Sequence, residues 1–177
     1  MRVRIDENVS RRVASALKGF MVSQDGFVVD HVRDHHPPGT SDPSWIRQFA
    51  AEGGHAIVSG DARILQHWPD LVAYMESGLV SFFPPAKFDD LKGPGQAALI
   101  MRWWPAIVER AKASSASQCW RLPLDWNPDL SKFKELKDPR FATDAQRVEQ
   151  GIAPAMTRHP FRPGDLSGTT DDQRAEG

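Results

Sequence analysis

Arg4-Ile5-Asp6-Glu7-Asn8-Val9-Ser10 and Ala56-Ile57-Val58-Ser59-Gly60-Asp61 decide the reading of this chain. Val3-Arg4-Ile5 reads as a short strand that ends at Asp6, and Ala56-Ile57-Val58 is an apolar run that ends near Asp61, of the kind that suits a strand buried in a parallel sheet. Between and after them the pattern alternates. Asn8 and Ser10 are helix-start residues, Val9, Val13 and Leu17 recur at helical spacing, and Gly19 reads as the stop. Phe27-Val28-Val29 is another apolar strand, followed by a His- and Pro-rich loop from Arg33 to Thr40. Asp42-Pro43 reads as a helix start with Asp at the cap and Pro in the first turn; Trp45, Ile46, Phe49 and Ala50 form its apolar stripe, and Gly53-Gly54 ends it. A further helix opens at Pro69 and closes at Gly78, a strand runs from Leu79 to Phe83, and Pro84-Pro85 stops it. The longest helix spans residues 94 to 111, with Pro105 expected to kink or divide it, and Trp120 and Leu122 mark a last strand. Strand and helix in alternation predict a three-layer α/β sandwich with a central parallel sheet.

In such sheets ligands bind beyond the carboxyl ends of the strands. Asp6 follows the first strand, Asp61 follows the third, and Asp42 starts the helix that leads into the third, so all three are expected on one edge. Converging carboxylates repel and take up protons unless a cation intervenes. Mg2+ is a hard cation that is often held by one or two carboxylates plus substrate phosphates, and Mn2+ behaves similarly. The chemistry that follows is metal-assisted phosphodiester hydrolysis, with Asp6, Asp42 and Asp61 as metal-binding and catalytic residues. The plainer reading is that an Asp after a strand is a turn residue and that Asp42 is a cap; the shared edge is what favours chemistry. Glu7, Asp30 and Asp34 are open as a fourth acid. Arg63 and Arg33 can meet phosphate oxygens with a planar fork, or serve as surface ion pairs.

Residues 4–65 resemble the PIN-like domains of the VapC type and their compact bacterial relatives. The resemblance is carried by Arg4-Ile5-Asp6-Glu7-Asn8-Val9-Ser10, His31-Val32-Arg33-Asp34, Gly39-Thr40-Ser41-Asp42 and Ile57-Val58-Ser59-Gly60-Asp61-Ala62-Arg63-Ile64. It implies a PIN-like sheet with metal at the acidic edge, Asp6, Asp42 and Asp61 in the metal positions, and ribonuclease activity as the toxin of a toxin–antitoxin pair. An RNA substrate, an antitoxin partner and a homodimer are further implications. Many members carry four acids where three are placed here, and the chain beyond residue 66 is unmatched by this resemblance. The alternative from another class is a PIN-like module that binds RNA or protein without cutting. A phosphoacceptor receiver domain ranks below both, because Ser59-Gly60 separates Val58 from Asp61 and no strand-ending Lys follows Phe83.

Composition bounds these readings. The net charge of −1 over 177 residues offers no broad positive field for duplex nucleic acid. Arg2, Arg4, Arg11, Arg12 and Lys18 do cluster early, mostly as a solvated face. The single Cys119 permits neither an internal disulfide nor a thiolate metal cage and reads as a small buried hydrophobe. No apolar run approaches membrane-span length and no signal-peptide pattern opens the chain, so a cytoplasmic protein without membrane contact is expected. His31, His35 and His36 lie close together, with a zinc site as the sharper reading and solvent or substrate contact as the plainer one. Leu99, Ile100, Trp103 and Ile107 form a core stripe, which leaves Trp104 as the residue suspected of touching a partner. Aliphatic residues become scarce from Pro139 onward, so the folded domain is placed at residues 1–138 and a disordered tail at 139–177.

Overall fold

The two strand-and-acid stretches lie side by side. In the computed structural model β1 (Arg2–Ile5) is flanked by β2 (Val28–His31) and β3 (Ala56–Val58), both parallel to it. β4 (Val80–Phe83) and β5 (Cys119–Arg121) continue the parallel set, and β6 (Lys134–Glu135) closes it antiparallel, giving the order β2-β1-β3-β4-β5-β6. The structure describes residues 1–21 and 27–137, which fall in one unit, Met1–Lys137; the expected tail lies outside the described residues.

Period-two alternation assigns the faces. Val3 and Ile5 of β1, with Val29, Ala56, Val58, Val80 and Phe82, pack under α1 (Arg11–Met21) and α4 (Lys92–Ala113). Ile57, Phe83 and Cys119 point the other way, into a core shared with Trp45, Ile46 and Phe49 of α2 (Asp42–Ala51) and Ala73 and Tyr74 of α3 (Trp68–Ser77). This is the three-layer α/β sandwich, with a sheet that is parallel except at one edge. Arg4 and Asp6 belong by parity to the α2/α3 face, as do Ser59 and Ser81. Arg4 is wholly buried there, directly opposite Asp30 in the strand register, and its Nε lies 2.7 Å from Asp30 Oδ1. Its guanidinium stacks 4.2 Å from the Phe49 ring centre.

Several local expectations are corrected. Gly19 does not stop α1, which runs on to Met21; glycine in a helix interior costs only about 1 kcal/mol relative to alanine, and Val13, Ala14 and Leu17 before it anchor the helix. Pro105 does not divide α4, which is continuous from Lys92 to Ala113. Pro105 faces solvent, where water can take the orphaned carbonyl, while Trp103, Trp104, Ala106, Ile107 and Val108 hold the buried side. Trp104 is therefore core rather than a partner contact, at 1% exposure. β6 carries no apolar pattern and was not expected. Cys119 is buried, with its thiol pushed up to about 12 by burial. Among the described residues no helix is long and apolar enough to cross a membrane.

Candidate functional site

Asp6 is the residue at which β1 leaves the sheet. Its amide still bonds Val58 O at 3.0 Å, so its side chain is fixed at the carboxyl edge between β1 and β3. The carboxylate is fully buried and accepts three hydrogen bonds: from the Glu7 amide at 2.6 Å, Asn8 Nδ2 at 3.2 Å and Ser59 Oγ at 2.8 Å. The Ser59 contact joins the two diagnostic stretches directly. Gly60 makes that junction possible, since a Cβ there would stand 2.5 Å from Asn8 O. Burial holds the Asp6 carboxyl above its ordinary range; the three donors oppose this and the charge of Glu7 adds to it.

Asp42 is not the cap of α2. Ser41 is the N-cap residue, without a side-chain cap bond, and Asp42 is the first helical residue. Its carboxylate is thus free to turn into the site, where Oδ1 accepts the Trp45 indole N–H at 2.8 Å. Burial pushes its carboxyl up as well; the Trp45 bond opposes this, and the charges of Asp6, Asp70 and Glu7 add to it. Asp6 and Asp42 therefore sit within one electrostatic neighbourhood.

Two members of that neighbourhood were missed from sequence. Asp70 stands in the first turn of α3, with Oδ2 2.8 Å from His67 Nδ1. Pro69-Asp70 at a helix start, an acid-and-proline pair like Asp42-Pro43, was the available signal. Tyr74 lies one turn further on the same helix face. Its ring is buried in the α2/α3 core, and its hydroxyl lies on the Ser59 side without a well-formed hydrogen bond among the described residues. Burial raises the phenol well above its ordinary value, and the charges of Asp6 and Asp42 add to that. An aromatic on an apolar stripe reads as core, so no sequence signal marked its polar end.

Asp61 shares the edge but faces Arg63. Asp61 Oδ1 accepts the Arg63 amide at 2.8 Å, and the guanidinium closes a fork with Nε 3.0 Å from Oδ1 and Nη2 2.8 Å from Oδ2. These bonds from Arg63 hold the Asp61 carboxyl below the usual range. Asp61 is thus the turn residue of the plainer reading in this arrangement, tied to the site through its amide, which Ser59 Oγ accepts at 3.1 Å. Arg33 is ion-paired with Glu7. Asp30 pairs with Arg4 and His35, and Asp34 with Arg11 and Lys18, so both serve ion pairs on the β2 side. His31 is buried and spans Val9 O and the Arg33 amide.

Among the described residues no group of three or more His, Cys, Asp or Glu side chains is gathered to hold an ion on protein ligands alone. This gives the histidine loop no zinc cage. Asp6 and Asp42 are all-oxygen donors, and a Mg2+- or Mn2+-class cation held by them would take its remaining ligands from water and substrate.

Residues 1–86 match the model of a family described as a PIN-like domain, a stretch that runs from β1 through β4 and contains every acid discussed above. No curated protein and no solved structure matches the chain.

Proposed function

We propose, from the premise that residues 1–86 are a PIN-like domain, a nuclease-type fold, that the chain is a metal-dependent endoribonuclease. The observation that carries this reading is the pair Asp6 and Asp42: two shielded carboxylates at the carboxyl edge, each pushed toward protonation by burial, with the charge of Asp6 raising Asp42 further. Ionised and without a cation, two such neighbouring carboxylates oppose folding, which the hydrogen bonds to them offset only in part. A bound Mg2+ or Mn2+ would supply the missing positive charge and acidify a water for attack on phosphorus. Asp6 is immobilised by its three donors and gives a fixed anchor. Asp42, held through one oxygen by Trp45, keeps its other oxygen for the cation. Arg63, 82% exposed at its side chain, can exchange Asp61 for a substrate phosphate, and Asp61 is then released toward the site. The toxin role, with an antitoxin partner and a homodimer, rests on the VapC-type resemblance of residues 4–65.

The arrangement of Asp61 favours a second reading. With that carboxylate satisfied by Arg63 and no three-acid group formed, the domain can also be read as a module that binds RNA or protein without cutting. Cleavage of a mixed RNA pool by the full chain in Mg2+, in Mn2+ and in EDTA separates the two. The nuclease reading expects metal-dependent cutting that disappears in Asp6→Asn and Asp42→Asn. Well-folded protein that cuts in neither metal would leave the binding module.

A further inference from the structure

The carboxyl edge continues past Asp61. In the sheet order β1, β3, β4, β5, the chain ends beyond β3 are those of β4 and β5, and they frame a cleft of about 260 Å³. Its floor includes the buried Pro84-Pro85 pair, whose fixed φ angles make it stiff. Its polar lining has three cations, Arg63, Lys87 and Arg121, and two carboxylates, Asp61 and Asp89. Arg63 is taken by Asp61 and also feels the charge of Asp89. Lys87 and Arg121 have no ion-pair partner among the described residues, and Arg121 Nε is shielded from solvent without a hydrogen bond.

Lys87 has a further oddity. Its φ of 68° and ψ of 15° place it in the left-handed region, where glycine or asparagine is the natural choice. A lysine there is strained, so the turn alone does not account for the side chain. The volume falls just short of the roughly 300–1,000 Å³ of small-molecule sites, which suits a short segment of a polymer better than an enclosed ligand. Strand spacing of about 4.8 Å puts the cleft roughly 10–14 Å along the edge from Asp6. Lys87 follows directly on the matched residues 1–86, and Arg121 lies well beyond them.

We propose that this cleft binds the sugar–phosphate backbone of a single-stranded RNA, with Lys87 and Arg121 contacting phosphates further along the strand than the one presented to Asp6 and Asp42. The identity of the polymer rests on the ribonuclease reading; the anion site rests on the two unpaired cations. Single-stranded RNA fits because a net charge of −1 supplies no broad field for a duplex, whereas one local cation pair can track one strand.

The test is binding of a labelled oligouridylate to the full chain by fluorescence anisotropy, in EDTA so that nothing is cut, across a series of KCl concentrations. Lys87→Asn removes the charge and tolerates the left-handed turn; Arg121→Gln removes the second charge; thermal melting checks both folds. The wild type binds with salt-dependent affinity. Each variant should bind several-fold more weakly and lower the slope of log K against log salt by about 0.7, the share of one phosphate contact on a single strand. Unchanged slopes in both melting-competent variants, or no binding by wild type at any salt, overturn the proposal. Cleavage with unchanged slopes would discard the cleft and keep the nuclease; loss of slope without cleavage would discard the nuclease and keep the cleft.

Discussion

Asp42 occupies a position where a helix cap is read from sequence, and its carboxylate caps nothing. One residue of register makes the difference: with Ser41 at the cap, Asp42 points into the site and meets Trp45 and the charges of Asp6 and Asp70. Asp42→Asn should therefore abolish metal-dependent cleavage while leaving the metal-free protein as stable or more stable, measured by thermal melting in EDTA; a clear loss of stability would assign Asp42 a structural role instead. Arg4 and Asp30 predict the opposite behaviour. Their pair is buried, so Arg4→Met should cost up to about 3–5 kcal/mol in urea unfolding by removing the two-bond partner of Asp30 and leaving it only His35 and the more distant Arg2. A cost below about 1 kcal/mol would show that Asp30 finds another partner, His35 being the nearest. Asp6 was legible because it directly follows the strand Val3-Arg4-Ile5. Tyr74 was not, because only its tertiary setting reveals where its hydroxyl sits.

The elements explain which half of the site could be foreseen. Short apolar stretches bounded by acids and turn residues identify β2, β3 and β4, the alternating Val3-Arg4-Ile5 identifies β1, and parallel pairing then places their carboxyl ends together. What pairing does not fix is side-chain direction in the loops beyond. Asp61 shares the expected edge, yet the 59–63 turn folds its carboxylate back on Arg63. β6 and the uninterrupted α4 escaped for other reasons: Lys134-Glu135 has no apolar content, and Pro105 is tolerated on the wet side of a helix that is otherwise packed. Trp45 of α2 joins packing to the site. Trp45→Phe keeps most of the buried ring but removes the donor to Asp42, so metal affinity should change while melting falls only modestly. Unaltered Mn2+ affinity in that variant would mean that the indole hydrogen bond does not set the direction of Asp42.

At the scale of the whole molecule, the acids give opposing pH signatures. Asp6 and Asp42 have carboxyls raised above the ordinary 3.8, chiefly by burial, so the folded chain holds their protons more tightly than the unfolded chain does. The stability they contribute is complete below 3.8 and is lost as pH rises through their raised values. Asp61, lowered by the hydrogen bonds from Arg63, contributes stability that is present above 3.8 and lost as pH falls through its depressed value. In EDTA the melting temperature should therefore carry a component that falls with rising pH above the ordinary carboxylate range; Asp42→Asn should reduce it and saturating Mg2+ should suppress it. Equal slopes with and without Mg2+ would detach the cation from these acids. The most direct test of the central claim is Mn2+ binding to the full chain, read from the electron paramagnetic resonance signal of free Mn2+. Wild type should bind, Asp6→Asn and Asp42→Asn should not, and Asp61→Asn should bind more weakly. Wild-type protein that binds no Mn2+, or Asp6 and Asp42 variants that bind it as wild type does, would contradict a metal site at this edge.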